Sequence, residues 1–150
     1  MNRTEIPVIL LAEDDPKDVD ITTRALRACN LANRLVVAHD GVEALEYLRR
    51  EGAFSDREPG DPAVILLDIK MPRKDGLEVL AELRAEPAFH RLPVVILTSS
   101  REEQDLIAGY DLGANAYVVK PVDFEDFIMA VRELGVFWAV INEPPPVAEA

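Results

Sequence analysis

The chain has 150 residues, of which 49% are apolar, and a formal net charge of −12 at pH 7. That length fits one domain with a core of its own, and the negative charge argues against direct binding of nucleic acid or of anionic membranes. The single cysteine, Cys29, excludes an internal disulfide. No apolar run approaches the roughly 18 residues of a membrane span and no signal-peptide pattern is present, so we expect a globular cytoplasmic protein.

Apolar runs alternate with helical patterns along the chain. The first run, residues 7–12, precedes a helix from about Pro16 to Cys29, in which the proline suits a first helical turn. Four more runs, at residues 34–39, 63–68, 93–98 and 116–119, precede helices that start near residues 40, 76, 101 and 123. Five such units predict an α/β fold of the flavodoxin-like (βα)5 type, with a doubly wound five-stranded parallel sheet. We expect residues 1–142 to form this domain and the proline-rich residues 143–150 to form an extended tail.

Polar side chains follow four of the five runs, at the point where each strand is expected to end. They are Glu13, Asp14 and Asp15 after the first run, Asp68 at the third, Thr98 at the fourth and Lys120 after the fifth. In an open parallel sheet the carboxyl ends of the strands meet at one edge, where sites form. Each residue alone has an ordinary interpretation, since Asp15 suits an N-cap and most lysines lie in solvent. Their coincidence at four strand ends favours one shared site.

The types of side chain at this edge indicate the chemistry. Carboxylates placed together repel one another unless a cation neutralises them, and oxygen ligands with open positions suit Mg²⁺. A lysine and a hydroxyl opposite them suit a phosphoryl group, because the lysine pairs its charge and the hydroxyl bonds an oxygen. An aspartate beside the metal can attack phosphorus and form an aspartyl phosphate. Asp68, at the centre of the set, is therefore the predicted nucleophile.

Four motifs carry a resemblance to a known family. They are "LLAEDDP" (10–16), "LLDIKMPRKDG" (66–76), "VVILTSS" (94–100) and "GANAYVVKP" (113–121). In this order and at these separations, they resemble the receiver domain of two-component response regulators, over roughly residues 6 to 140. The resemblance implies that Asp68 accepts a phosphoryl group from a histidine kinase.

The resemblance also implies the metal ligands. Glu13 and Asp14 correspond to the family's acidic pair. Asp14 and Asp68 would bind Mg²⁺ directly, together with the backbone carbonyl of Lys70.

The same resemblance implies a switch on the other side of the acceptor. Thr98 would be the hydroxyl that closes on the phosphoryl group, and Lys120 would be its cationic partner. We expect a cis peptide between Lys120 and Pro121, a geometry favoured only before proline. Tyr117 matches the aromatic residue that moves inward as Thr98 closes.

Within the family, the chain most resembles the stand-alone regulators that partner cyanobacterial and bacterial phytochrome kinases. The supporting features are the long loop 52–62, the stretch 85–100, and a last helix running on through "FWAVINEPPP". We expect no helix-turn-helix domain after it. Two alternatives stay open. A phosphatase of the haloacid dehalogenase type also uses a strand-end aspartate, although it needs a second acid where this chain has Lys70. A degenerate, non-phosphorylated receiver could act as a plain binding module.

The last helical pattern predicts a homodimer. Its sheet-facing stripe is expected to hold Phe124, Phe127, Ile128, Val131, Leu134 and Trp138. After Gly135, Val136, Phe137 and Val140 make the segment apolar all round, and in water it would expose an apolar patch. We expect it to pair with the same helix of a second copy, with Leu106, Ile107 and Tyr110 joining the contact. The alternative is that the segment folds back on its own domain.

Overall fold

The computed structural model describes residues 7–31, 34–99 and 116–141, and of Trp138 and Ala139 it describes the backbone alone. The strands in these ranges are β1 (Ile9–Ala12), β2 (Leu35–Ala38), β3 (Val64–Asp68), β4 (Val94–Thr98) and β5 (Ala116–Val119). The α-helices are α1 (Pro16–Arg27), α2 (Gly41–Arg49), α3 (Gly76–Ala85), α4 (Phe124–Glu133) and α5 (Phe137–Ile141), and a 3₁₀ turn covers Gly52–Phe54. The helix predicted from about Arg101 lies outside the described residues. Among the helices that are described, none is long and apolar enough to cross a membrane.

The five strands form one parallel sheet in the order β2-β1-β3-β4-β5, which confirms the predicted fold. All residues of β1, β3 and β4 are buried, as continuous apolar strands must be when both faces of a sheet are covered. One core layer packs the sheet against α2 and α3, and the other packs it against α1, α4 and α5.

Aspartates fix the start of the four longer helices among those described. Each accepts a hydrogen bond from a backbone N–H of its helix at 2.8 Å, and the four are Asp15, Asp40, Asp75 and Asp123. Such caps satisfy N–H groups that have no partner inside the helix. The capping role predicted for Asp15 is confirmed, and these caps set where each loop at the carboxyl edge of the sheet ends.

The last helix differs from its prediction, because the chain turns at Gly135. α4 ends at Glu133, and Gly135 takes a positive φ of 73°. The N–H of Gly135 donates to the Arg132 carbonyl and that of Val136 donates to the Val131 carbonyl, both at 3.0 Å. This pair of bonds is a Schellman motif, which glycine favours because it adopts a left-handed backbone without a steric cost. α5 is therefore a separate helix and not a continuation of α4.

The turn changes which side chains are exposed. Val140 is only 1% exposed and belongs to the core layer of α1 and α4, and Val136 and Phe137 pack partly against the same layer. Val140, predicted to lie on the dimer surface, is therefore buried within its own domain, and the homodimer itself stays a prediction. Phe124, predicted to face the sheet, is 45% exposed. Leu106, Ile107 and Tyr110 lie outside the described residues.

Candidate functional site

The carboxyl edge of the sheet brings together side chains from distant parts of the chain. Glu13 follows β1, and its N–H donates to the Ala38 carbonyl at 2.9 Å. Asp68 is the last residue of β3 and pairs in register with Leu97, so Thr98 lies one step further along the neighbouring strand. Lys120 follows β5, and its N–H donates to the Thr98 carbonyl at 2.7 Å. Backbone pairing within the sheet therefore sets the distances between these four residues of the site.

Three carboxylates form a cluster at this edge. Glu13, Asp14 and Asp68 each offer an oxygen, and these oxygens all lie within 4.8 Å of one another. Glu13 and Asp68 are buried, whereas Asp14 is exposed and leaves the cluster open on one side. A set of hard oxygen donors with an open side fits a divalent cation such as Mg²⁺, which keeps several waters when it binds to proteins.

Lys120 faces this cluster and makes ion pairs with three carboxylates of the described residues. Its Nζ lies 3.0 Å from Asp68 Oδ1, 3.1 Å from Glu13 Oε1 and 2.9 Å from Asp18 Oδ2. The contacts with Asp68 and Glu13 join residues that the sequence predicted to meet. Asp18 was missed by sequence reasoning, although its place in the first turn of a helix that starts at this edge was an available signal.

Burial perturbs the acids of the cluster. It raises the pKa of Glu13 to about 7, against the lowering effect of the hydrogen bond from the Asp15 N–H, and the charge of Asp68 adds to the rise. Burial likewise raises the pKa of Asp68, although Lys120 opposes this effect. For Lys120, burial lowers the pKa, but the ion pairs with Asp18, Asp68 and Glu13 outweigh it and the pKa is raised. The Lys120 ammonium alone does not offset the burial of the two acids, so a further positive charge at the site would be favourable.

Thr98 adds a buried hydroxyl to the site. Its side chain is fully buried, and its Oγ1 has no hydrogen-bond partner among the described residues. A buried hydroxyl without a partner costs free energy, about 1–3 kcal/mol. Tyr117 on β5 is half-buried and lines a cavity of about 210 Å³. The buried Thr98 hydroxyl can therefore gain a hydrogen bond when an acceptor enters the site.

The loop after β3 is held by close backbone packing. The Gly76 N–H donates to the Ile69 carbonyl at 2.7 Å, and a Cβ on Gly76 would lie 2.2 Å from the Asp68 carbonyl oxygen. Arg73 adopts a positive φ of 66°, and its guanidinium donates to both oxygens of Asp40, at 2.7 and 3.0 Å. Lys70 lies in this loop, two residues after Asp68. On the other side of the site, the Lys120–Pro121 peptide is cis, as predicted.

Comparison with known families fits this geometry. Residues 9–132 match the family model of the response regulator receiver domain. The chain belongs to the response regulator receiver family. The receiver is 37% identical, over 131 residues, to the response regulator Rcp1 of Synechocystis sp., covering 87% of this chain and 88% of Rcp1.

Solved structures of similar receivers extend the likeness. The bacteriophytochrome response regulator AtBRR is 55% identical, with a TM-score of 0.87 and coverage of 93% of this chain and 99% of its own. The bacteriophytochrome response regulator RtBRR is 54% identical, with a TM-score of 0.85 and coverage of 95% and 86%. The Mn²⁺-bound form of Rcp1 is 34% identical, with a TM-score of 0.69 and coverage of 94% and 99%.

These findings confirm the predicted family and the resemblance to phytochrome-associated regulators. They support neither of the two alternatives, the haloacid dehalogenase-type phosphatase and the non-phosphorylated binding module.

Proposed function

We propose that this receiver accepts a phosphoryl group from a histidine kinase on Asp68, with Mg²⁺, and signals by changing its protein-contact surface. The observation that carries the proposal is the ion pair of Lys120 Nζ with Asp68 Oδ1, at 3.0 Å, inside the carboxylate cluster. A buried acceptor beside a fixed cation and a cluster of metal-type ligands suits phosphoryl transfer, which depends on positioning and on charge neutralisation.

The transfer itself is a substitution at phosphorus. A carboxylate oxygen of Asp68 attacks the phosphorus of the kinase's phosphohistidine, a P–O bond forms, and the P–N bond breaks with its electron pair passing to the imidazole nitrogen. Glu13, Asp14 and Asp68, with the backbone carbonyl of Lys70, would hold Mg²⁺. When bound, the metal neutralises the charge that gathers between the carboxylates and the phosphoryl oxygens. The receiver's chemistry would be confined to its own phosphorylation and dephosphorylation.

The switch would follow from the new acceptor atoms. A phosphoryl group on Asp68 brings three oxygens to the site, and Lys120 would turn a donor toward them. The buried hydroxyl of Thr98 would gain the partner that it lacks among the described residues. Tyr117 would follow Thr98 inward, because the two residues lie on the neighbouring strands β4 and β5. The contact surface beside β5 would change as a result.

For the partner, we propose a cytoplasmic kinase of the bacteriophytochrome type. The support is the likeness to AtBRR and RtBRR, both described as bacteriophytochrome response regulators and both more than half identical to this chain. The net charge of −12 makes nucleic acid an unfavourable direct partner, because the phosphate backbone would repel it.

A second copy of the chain is the other partner that we propose. Three apolar side chains on β5 and α4 are exposed: Val119 by 40%, Phe124 by 45% and Met129 by 60%. Met129 lines both the cavity beside Tyr117 and a larger one of about 510 Å³ that reaches Phe137. Burying such side chains against their own copies would remove apolar area from water with two-fold symmetry. The homodimer surface therefore shifts from Val140 to the β5–α4 face.

Stoichiometry tests the proposed function against a phosphatase. The purified chain is incubated with excess acetyl phosphate, with and without Mg²⁺, and both protein-bound phosphate and released phosphate are followed. We expect about one phosphoryl group per chain, and only with the metal. The rate of phosphate release should not exceed the rate at which the labelled protein loses its phosphoryl group, which is measured after the acetyl phosphate is removed. Continuous release far above this rate, with no labelled protein, would contradict the proposal and favour a phosphatase.

A further inference from the structure

Asp18 is the partner of Lys120 that the proposed chemistry does not use. Its Oδ2 lies 2.9 Å from Lys120 Nζ, as near as the oxygens of Asp68 and Glu13. Asp18 is not part of the carboxylate cluster, and it lies in the first turn of α1. Its contact with Lys120 links two segments that are 102 residues apart in sequence.

The three partners together fix the ammonium group. An ammonium has three N–H donors, and in this structure each of them has a carboxylate within reach. Glu13 and Asp68 are buried, whereas the Asp18 side chain is 25% exposed, so Asp18 holds the ammonium from the solvent side. A lysine side chain is a flexible four-carbon stem that loses much rotamer freedom when its end is fixed. An anchor on the solvent side keeps Nζ from turning away from Asp68.

We propose that Asp18 is a positioning residue for phosphoryl transfer, holding the Lys120 ammonium beside the acceptor oxygens of Asp68 by an ion pair from α1. This inference rests on the function proposed above. When the phosphoryl group is attached, Lys120 turns a donor from Asp68 Oδ1 to a phosphoryl oxygen. Asp18 keeps its own donor, so the ammonium stays at the mouth of the site.

Two effects of Asp18 can be separated by kinetics. As an anchor, it raises the rate of transfer from bound donor, because positioning lowers the barrier to reaction. As a negative charge, it repels an anionic donor and weakens donor binding. Loss of Asp18 should therefore lower the maximal rate without raising the donor concentration that gives half of it. A merely structural role in α1 would not produce this split.

The experiment measures self-phosphorylation by acetyl phosphate at saturating Mg²⁺, over a range of acetyl phosphate concentrations. The variants are Asp18→Ala, Asp18→Asn and the matched control Asp20→Ala, which removes an aspartate that is exposed on the same helix and paired with Arg24. Asp18→Ala is also made in a Lys120→Ala background. Thermal unfolding and Mg²⁺ affinity are measured for each protein, and Asp18→Asn serves as the second test if Asp18→Ala unfolds.

We expect Asp18→Ala to lower the maximal rate about tenfold, Asp18→Asn to lower it less, and Asp20→Ala to leave it unchanged. In the Lys120→Ala background, Asp18→Ala should have no further effect. Equal maximal rates for Asp18→Ala and Asp20→Ala would overturn the positioning role, and so would an equal loss from Asp18→Ala in the Lys120→Ala background. Neither result would affect the proposed function. A wild-type protein that is not labelled at all would overturn the proposed function, and this inference with it.

Discussion

At the scale of single residues, the buried Thr98 hydroxyl is the donor that would gain a partner when a phosphoryl group is attached to Asp68. Because its Oγ1 has no partner in the described part of the chain, replacing it by a methyl group removes an unfavourable burial at nearly constant volume. We expect Thr98→Val to raise the free energy of unfolding of the unphosphorylated protein by about 1 kcal/mol, measured by urea denaturation. Any change of surface contacts upon phosphorylation should be lost in the same variant.

Thr23→Val is the matched control, since the Thr23 hydroxyl is bonded to the Val19 carbonyl at 2.7 Å. Val and Thr have similar helix propensities, so the control should be neutral or destabilising. Thr98→Val that is less stable than wild type would show that the hydroxyl is satisfied in solution.

Glu13 makes the metal-free protein sensitive to pH. Burial raises its pKa in the folded state to about 7, above its ordinary value of 4.5. Between these values the folded state keeps a proton that the unfolded state has released, so stability falls as pH rises. Lys120, whose pKa is raised, stays charged throughout this window and contributes no slope. We expect the unfolding temperature without metal to fall from about pH 5.5 to about pH 7.5.

In Glu13→Gln the same scan should be flatter, because the amide does not titrate. If wild type and Glu13→Gln fall equally over this window, then Glu13 is not the source of the slope.

At the scale of elements, the start of α3 supports the loop that follows Asp68. Gly76 approaches the Asp68 carbonyl so closely that a Cβ, 2.2 Å away, would force one of them to move. We expect Gly76→Ala to cost about 1–3 kcal/mol of stability through overpacking, seen as a lower urea midpoint. It should also weaken Mg²⁺ binding, because the acceptor residue moves. Ala81→Ser, at an exposed position of the same helix, is the control, and a Gly76→Ala protein that matches it would refute the close packing.

Particular elements show how much the sequence could predict. The central strands are continuous apolar runs, and their order along the chain gave the parallel sheet and placed Glu13, Asp68, Thr98 and Lys120 at one edge. That inference works because it needs only the direction of the strands. The ion pair of Asp18 with Lys120 depends on the rotation of α1 against the sheet, which a hydrophobic pattern does not determine to within one side chain.

Residues 124–141 show a case in which the sequence pattern gave the wrong structure. Apolar periodicity through residues 124–141 predicted one continuous helix, while Gly135 was the local signal for its end. The Schellman turn prevails because it satisfies two carbonyls of α4 and lets Val140 enter the core. Counting apolar residues around a helical wheel could not reveal this, since the wheel assumes an unbroken axis.

At the scale of the whole molecule, the proposed homodimer should depend on the β5–α4 face. A charge at Met129, which is 60% exposed, would place two carboxylates near the two-fold axis and separate the copies. We expect Met129→Glu to be monomeric by light scattering at micromolar concentration, where wild type is a dimer. Ala81→Glu adds the same charge to α3, on the opposite face of the sheet, and should stay dimeric. A monomeric wild type, with and without phosphorylation, would contradict this proposal.

The role of Asp68 as the phosphoryl acceptor is tested by the mass of the intact chain after reaction with acetyl phosphate and Mg²⁺. Wild type and Asp61→Asn, whose change lies at an exposed loop position, should each gain the mass of one phosphoryl group. Asp68→Asn should gain none, because an amide is neither the nucleophile nor an anionic metal ligand. A full mass gain in folded Asp68→Asn would contradict the assignment of Asp68 as the phosphoryl acceptor.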